Sequence, residues 1–171
     1  LGIYIDESLL GPSTTVGELQ QLVAQQAQVK VTPLSFYRWP LTRWCINLRA
    51  AIQHTILFPM LYPMYRAHAT GLESLKGSAL FAINHNAIKF DSRLVLKLLP
   101  GPWRRRMAYA AAAEIIYPKR WRGILASLLG NAFPLSRDTA IRPSLEHIGS
   151  LIDRGWNVGI FPEGVQLLGQ D

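Results

Sequence analysis

The 171 residues carry 49% apolar and only 17% charged side chains, enough for one domain with a substantial core, and this composition excludes a disordered chain. A net charge of +7 and a pI near 9.9 point to an anionic partner, a sign that nucleic acid and anionic lipid share. No window approaches the roughly 20 uninterrupted apolar residues of a membrane-spanning helix, since the longest candidate, Ala50 to Tyr65, contains Gln53, His54, Pro59 and Pro63.

The chain opens on a strand-like run, Gly2 to Ile5, with no initiator Met and no secretory signal, and turns at Gly11-Pro12. Thr15 and Glu18 have the spacing of a capping box, which predicts a polar helix from Val16 to about Ala27. This Gln-rich stretch differs in kind from the rest of the chain. Val31 to Pro40, with two prolines, reads as a linker. The expected organisation is therefore a leading segment (1–30), a linker (31–40) and a main domain (41–171).

Leu41 to about Ala67 has a helical pattern, with a proline break expected between Pro59 and Pro63. Its mixture of apolar bulk, Trp and Arg suits a helix lying in a membrane interface, although packing on the domain core gives the same amphipathicity. Cys45, the single cysteine, sits between Trp44 and Ile46 and reads as a buried structural thiol. Trp39, Trp44, Trp103 and Trp121 each lie within a few residues of Arg or Lys, a placement that favours lipid over nucleic acid. The basic runs Arg104 to Arg106 and Lys119 to Arg122 would add roughly 1 kcal/mol per charge at an anionic leaflet, and each also fits a solvated charged face. No nucleic-acid-binding motif accompanies them.

Strands and helices then alternate. Ala79 to Asn84, Met107 to Ala113, Asn131 to Leu135 and Asn157 to Phe161 read as strands, the second weakened by alanines that favour helix. Asp91 to Leu99, Pro118 to Leu129 and Pro143 to Arg154 read as helices, with Pro100-Gly101 and Gly155 as stops. This order predicts an α/β fold, a mainly parallel sheet flanked by helices, preceded by the amphipathic helical segment.

Three polar residues follow three of these strands within two positions: His85, Arg137 and Glu163. In open parallel sheets, ligands bind just beyond the carboxyl ends of the strands, so the three are expected to converge on one pocket. A histidine there can remove the proton of an acceptor hydroxyl as it attacks an activated acyl carbonyl. Asp91 is the acid nearest to His85 in sequence and would hold the imidazole in its productive tautomer. Ser92 lacks the strand-turn-helix context of a nucleophile and reads as a first-turn helix residue. Glu163-Gly164 forms a turn, fixed by Pro162, that can hold a phosphate or glycerol group with Arg137 supplying charge. His54, His68 and His147 read as structural. No cofactor and no metal is expected, because no His/Cys/acid cluster has ligand spacing.

Asn84-His85-Asn86 with Asp91 resembles the His/Asp block of the glycerophosphate and lysophosphatidic-acid acyltransferase superfamily. Gly130 to Arg137 is similar to its second block, and Phe161-Pro162-Glu163-Gly164 to its third. The resemblance covers about Leu41 to the C-terminus. It implies transfer of an acyl group from an acyl-CoA or acyl carrier protein thioester to a lysophospholipid-type hydroxyl at a membrane surface. His85 would be the base and Asp91 its partner, with Arg137, Phe161, Pro162, Glu163 and Gly164 at the acceptor. The expected location is peripheral or monotopic, on the cytoplasmic face of a membrane. Five residues separate His85 from Asp91, one more than the family's usual spacing, and are expected to form a loop. Val165-Gln166 stand where the family has Thr-Arg, and the family's fourth block would lie beyond Asp171. Leu1 to about Val23 looks like the tail of an AMP-forming acyl ligase, so the chain is expected to be part of a longer fusion polypeptide. A catalytically inactive relative that binds lipid or a partner is the alternative reading.

Overall fold

The computed structural model describes residues 14–28, 34–84, 91–136 and 141–162. The four strand-like runs form β1 (Leu80–Ala82), β2 (Met107–Ala112), β3 (Ala132–Leu135) and β4 (Asn157–Ile160). They pair in parallel throughout, in the order β1-β4-β2-β3. Leu80 faces Val158, Met107 faces Asn157, and Tyr109 faces Ala132. The expected parallel α/β architecture is the observed one.

Alternation along each strand sends side chains to two cores. Ala108, Ala110, Phe133 and Val158 pack with Ile148 and Leu151 on one face. Met107 and Tyr109 pack with Phe58, Leu96 and Leu99 on the other. The alanines of β2 would favour helix in isolation. Their small side chains instead lie under helix residues 148 and 151, and tertiary packing overrides the local preference.

The first helix, α1 (Val16–Gln28), starts where its capping box requires. The Thr15 amide donates to Glu18 Oε2 at 2.8 Å and the Glu18 amide donates back to Thr15 Oγ1 at 3.3 Å. The Thr15 amide, and the Thr15 hydroxyl that donates to the same carboxylate oxygen at 3.0 Å, hold the Glu18 carboxyl below its ordinary pKa.

Pro59 does not break the next helix. The chain winds through α2 (Arg43–Ile52), one π turn (Gln53–Leu57) and α3 (Phe58–Leu61). The Phe58 amide reaches back to the Gln53 carbonyl, the five-residue spacing of a π turn. Pro59 lies in the first turn of α3, a position proline tolerates. Helix ends at Leu61 instead of near Ala67, because Pro63 has no N–H to continue the ladder.

Pro100 ends α4 (Asp91–Leu98), as expected, but Gly101-Pro102 then opens a short helix, α5 (Gly101–Arg105). A further turn, α6 (Ala113–Ile116), comes after β2, and α7 (Arg120–Gly130) leads into β3. The last helix, α8 (Arg142–Asp153), carries Pro143 in its first turn. It closes on Gly155 at φ +77°, where the Trp156 amide bonds to the Leu151 carbonyl and the Gly155 amide to the Ile152 carbonyl, both at 2.9 Å. This is the Schellman arrangement, and it supports reading Gly155 as a helix stop.

Gly159 in β4 has a packing reason. A Cβ there would lie 2.6 Å from the Tyr109 ring and 2.9 Å from the Met107 methyl. Gly159→Ala is therefore expected to destabilise the fold by about 1–3 kcal/mol through overpacking. Chemical denaturation would show it as a lowered midpoint at unchanged slope, and an unchanged midpoint would mean that the ring moves aside freely.

Candidate active site

Because all strands run the same way, every carboxyl end lies on one edge of the sheet. β1 and β4 are neighbours, and the Ile83 amide extends their pairing by donating to the Ile160 carbonyl at 2.9 Å. The strands that lead in sequence to the first and third blocks thus end side by side. His85, Arg137, Glu163 and Gly164 lie outside the described residues, as does the expected loop at 86–90.

Asp91, Phe161 and Pro162 are described. Asp91 is the first residue of α4 and only 9% exposed. Tyr109 joins the start of that helix to the sheet. Its hydroxyl donates to the Ser92 carbonyl at 2.9 Å, and its ring stacks on Phe161 with centroids 6.4 Å apart. Burial pushes the phenol pKa upward, so the hydroxyl stays protonated and keeps donating. Ser92 takes the first-turn place expected of it.

The third strand end stands apart. β2 separates β3 from β4, so β3 lies two strand spacings from β4, roughly 10 Å, and it sits at the far edge from β1. Ser136, immediately before Arg137, is buried and donates its hydroxyl to Glu114 Oε1 at 2.7 Å. That bond ties the carboxyl end of β3 to the turn after β2.

Sequence reading missed Tyr109 and Glu114. Tyr109 was hidden in an alanine run, though it is the one large polar-tipped side chain there. Glu114 comes directly after a strand, the position used to single out His85, Arg137 and Glu163, and that signal applied to it equally. Tyr109→Phe is expected to lower stability by about 1 kcal/mol for one lost hydrogen bond. Turnover should fall more than that loss of folded protein explains, because the helix start carrying Asp91 loses its tie. Equal activity per folded molecule would leave Tyr109 a purely structural residue.

The structure defines an α/β domain whose described strands are parallel and end on one edge, the edge on which open sheets bind ligands. The chain belongs to the Acyltransferase family, that of the glycerophosphate and lysophosphatidic-acid acyltransferases, whose sequence model matches residues 66–170. Acyl transfer is accordingly its class of activity. Neither a curated protein nor a solved structure matches the chain.

Proposed function

We propose that the domain moves a fatty acyl group from an acyl-CoA or acyl carrier protein thioester to the hydroxyl of a lysophospholipid or glycerophosphate-type acceptor at a membrane surface. The adjacency of β1 and β4 supports this reading, because the two strands that lead in sequence toward the His85 block and the Phe161-Pro162-Glu163-Gly164 block are paired. His85 takes the acceptor hydroxyl proton as the oxygen attacks the thioester carbonyl. The tetrahedral adduct then expels the thiolate, which receives that proton from the imidazolium. Asp91 orients the imidazole and stabilises its charged form. Phe161, Pro162, Glu163 and Gly164 shape the acceptor site, and Arg137 meets the acceptor phosphate.

The membrane part of the proposal rests on surface chemistry. Among the described residues no helix is long and apolar enough to cross a membrane. Trp44, Ile56 and Met60 are nonetheless exposed along α2–α3, at 58%, 63% and 45%, and Trp121, Ile124, Leu125 and Leu129 along α7. Arg43, Arg120 and Arg122 border these apolar side chains in the sequence, a mixture suited to a peripheral or monotopic helix in an anionic interface. The expected face is the cytoplasmic one. The domain would span residues 41–171, after a linker at 31–40. Leu1 to Val23 supports a finer reading, that the domain comes after an AMP-forming acyl ligase able to supply the thioester. The coding sequence upstream of Leu1 tests that reading.

The test of function is thiol release from a long-chain acyl-CoA or acyl carrier protein by the full-length polypeptide, with and without a lysophospholipid. Release that requires the acceptor is the expected result. Liposome binding without release from either donor would assign the chain to the inactive, lipid-binding alternative.

A further inference from the structure

At the amino edge of the sheet, opposite the carboxyl ends of the strands, an open cleft of about 730 Å³ lies between α2, α5 and the starts of β1 and β4. Arg43, Arg105 and Arg106 line it together with Asn47, Ser78 and Trp103, and among the described residues no lining side chain is acidic. Among the described residues none of the three arginines meets a carboxylate in an ion pair. Three cations that share a cleft repel one another unless an anion sits between them.

The frame around these cations is fixed. The Asn157 side chain accepts from the Ala79 amide and donates to the Trp103 carbonyl, both at 3.1 Å, which joins β4 to the start of β1 and to α5. Ser78 donates its hydroxyl to the Ile152 carbonyl at 2.9 Å. Arg105 is held by the Asn47 side-chain oxygen. The Arg106 guanidinium lies against Gly155, 3.1 Å from where a Cβ would stand. Arg43 opens α2, and Thr42 directs its hydroxyl to the Trp39 carbonyl instead of capping that helix, so the positive end of the helix dipole adds to the field.

We propose that this cleft is a second ligand site, for a phosphate-bearing anion, separate from the acyl-transfer edge. Planar guanidinium forks match phosphate oxygens in pairs. The volume exceeds one phosphate and is of the size that small-molecule sites have, roughly 300–1,000 Å³, so a diphosphate or a phosphorylated glycerol headgroup fits. The same chemistry has two sources, a soluble phosphate compound or the headgroup of an anionic lipid. The exposed Trp44 beside Arg43 places a membrane-compatible side chain at the rim. The site does not depend on which thioester or acceptor the enzyme uses.

Calorimetric titration of pyrophosphate into the full-length protein, and sedimentation with phosphatidylcholine vesicles with and without phosphatidylglycerol, test it. Arg43→Gln combined with Arg105→Gln is compared with a charge-matched control, Arg66→Gln combined with Arg142→Gln. All four side chains are exposed, so the core is not at risk, and Arg105→Gln alone serves as a milder variant. The cleft variant is expected to bind at least about tenfold more weakly than the control. Loss at pyrophosphate would identify a soluble ligand, and loss only at phosphatidylglycerol vesicles a lipid headgroup. An equal loss in cleft and control variants would show net charge alone at work and overturn the site, as would failure of the wild type to bind either probe.

Discussion

Replacing His85 with alanine is expected to lower acceptor-dependent thiol release at least about a hundredfold, the lower end of what a positioned general base contributes. The loss should appear in kcat, with the acceptor KM little changed, because the proton moves only as the new bond forms. The surroundings support assigning the base here. Asp91 opens a helix that Tyr109 ties to the sheet, and His85 comes after the strand paired with the one leading to Glu163. The single extra residue between His85 and Asp91 makes the outcome informative. On a continuous helix it would turn the carboxylate by about 100°. An unchanged rate in the alanine variant would take His85 out of the mechanism and leave the β1–β4 adjacency without a catalytic meaning.

Arg49→Leu is expected to destabilise the domain by about 3 kcal/mol, the sum of two orphaned carbonyls, those of Leu128 and Pro40, at about 1–3 kcal/mol each, while the Ser127 carbonyl keeps the Asn131 amide. Arg49 is only 5% exposed, and it extends from α2 across to the end of α7. Its Nε donates to the Leu128 carbonyl at 2.8 Å, and its Nη2 donates to Ser127 at 3.2 Å and to Pro40 at 3.0 Å. The last carbonyls of a helix have no partner within it, and a cation there also meets the negative end of the dipole. Burial lowers the guanidinium pKa from its ordinary value, an effect the neighbouring Cys45 thiol opposes. Urea denaturation monitored by tryptophan fluorescence would read the change, and Arg49→Lys should recover part of it. A loss below about 1 kcal/mol would mean that water replaces the guanidinium without difficulty. A full loss would show that α2, which precedes the family match at residues 66–170, is bound into the same folding unit.

Much of the local structure was legible because it is encoded locally. The capping box at Thr15 and Glu18 starts a helix at Val16, and Gly155 stops another in the left-handed conformation its neighbours require. Cys45 is buried, as its apolar setting predicts. His147 is structural as expected, stacked on Phe36 and set edge-on to Phe133 at 4.4 and 5.0 Å. Proline was a partial signal. Helix ends at Leu61 within the expected Pro59 to Pro63 break, and at Leu98 before Pro100, whereas Pro59 and Pro102 sit in first turns, where a missing N–H costs nothing. Arg49 was illegible, since nothing in a helical Arg says that it will be buried against another helix's carbonyls.

The sequence by itself determined the order of strands and helices, the all-parallel class that their alternation implies, and the polar blocks that close the strands. These depend on periodicity and turn chemistry within a few residues. Only the tertiary structure decided the lateral order β1-β4-β2-β3. That order makes neighbours of the first and last strands and carries β3, with Ser136 after it, to the far edge. It also lets Tyr109 cross Gly159 to reach Phe161 and the start of α4. Strand order depends on how crossover helices fill the two faces of the sheet, a matter of contacts between residues far apart in the chain, and local pattern carries no record of it.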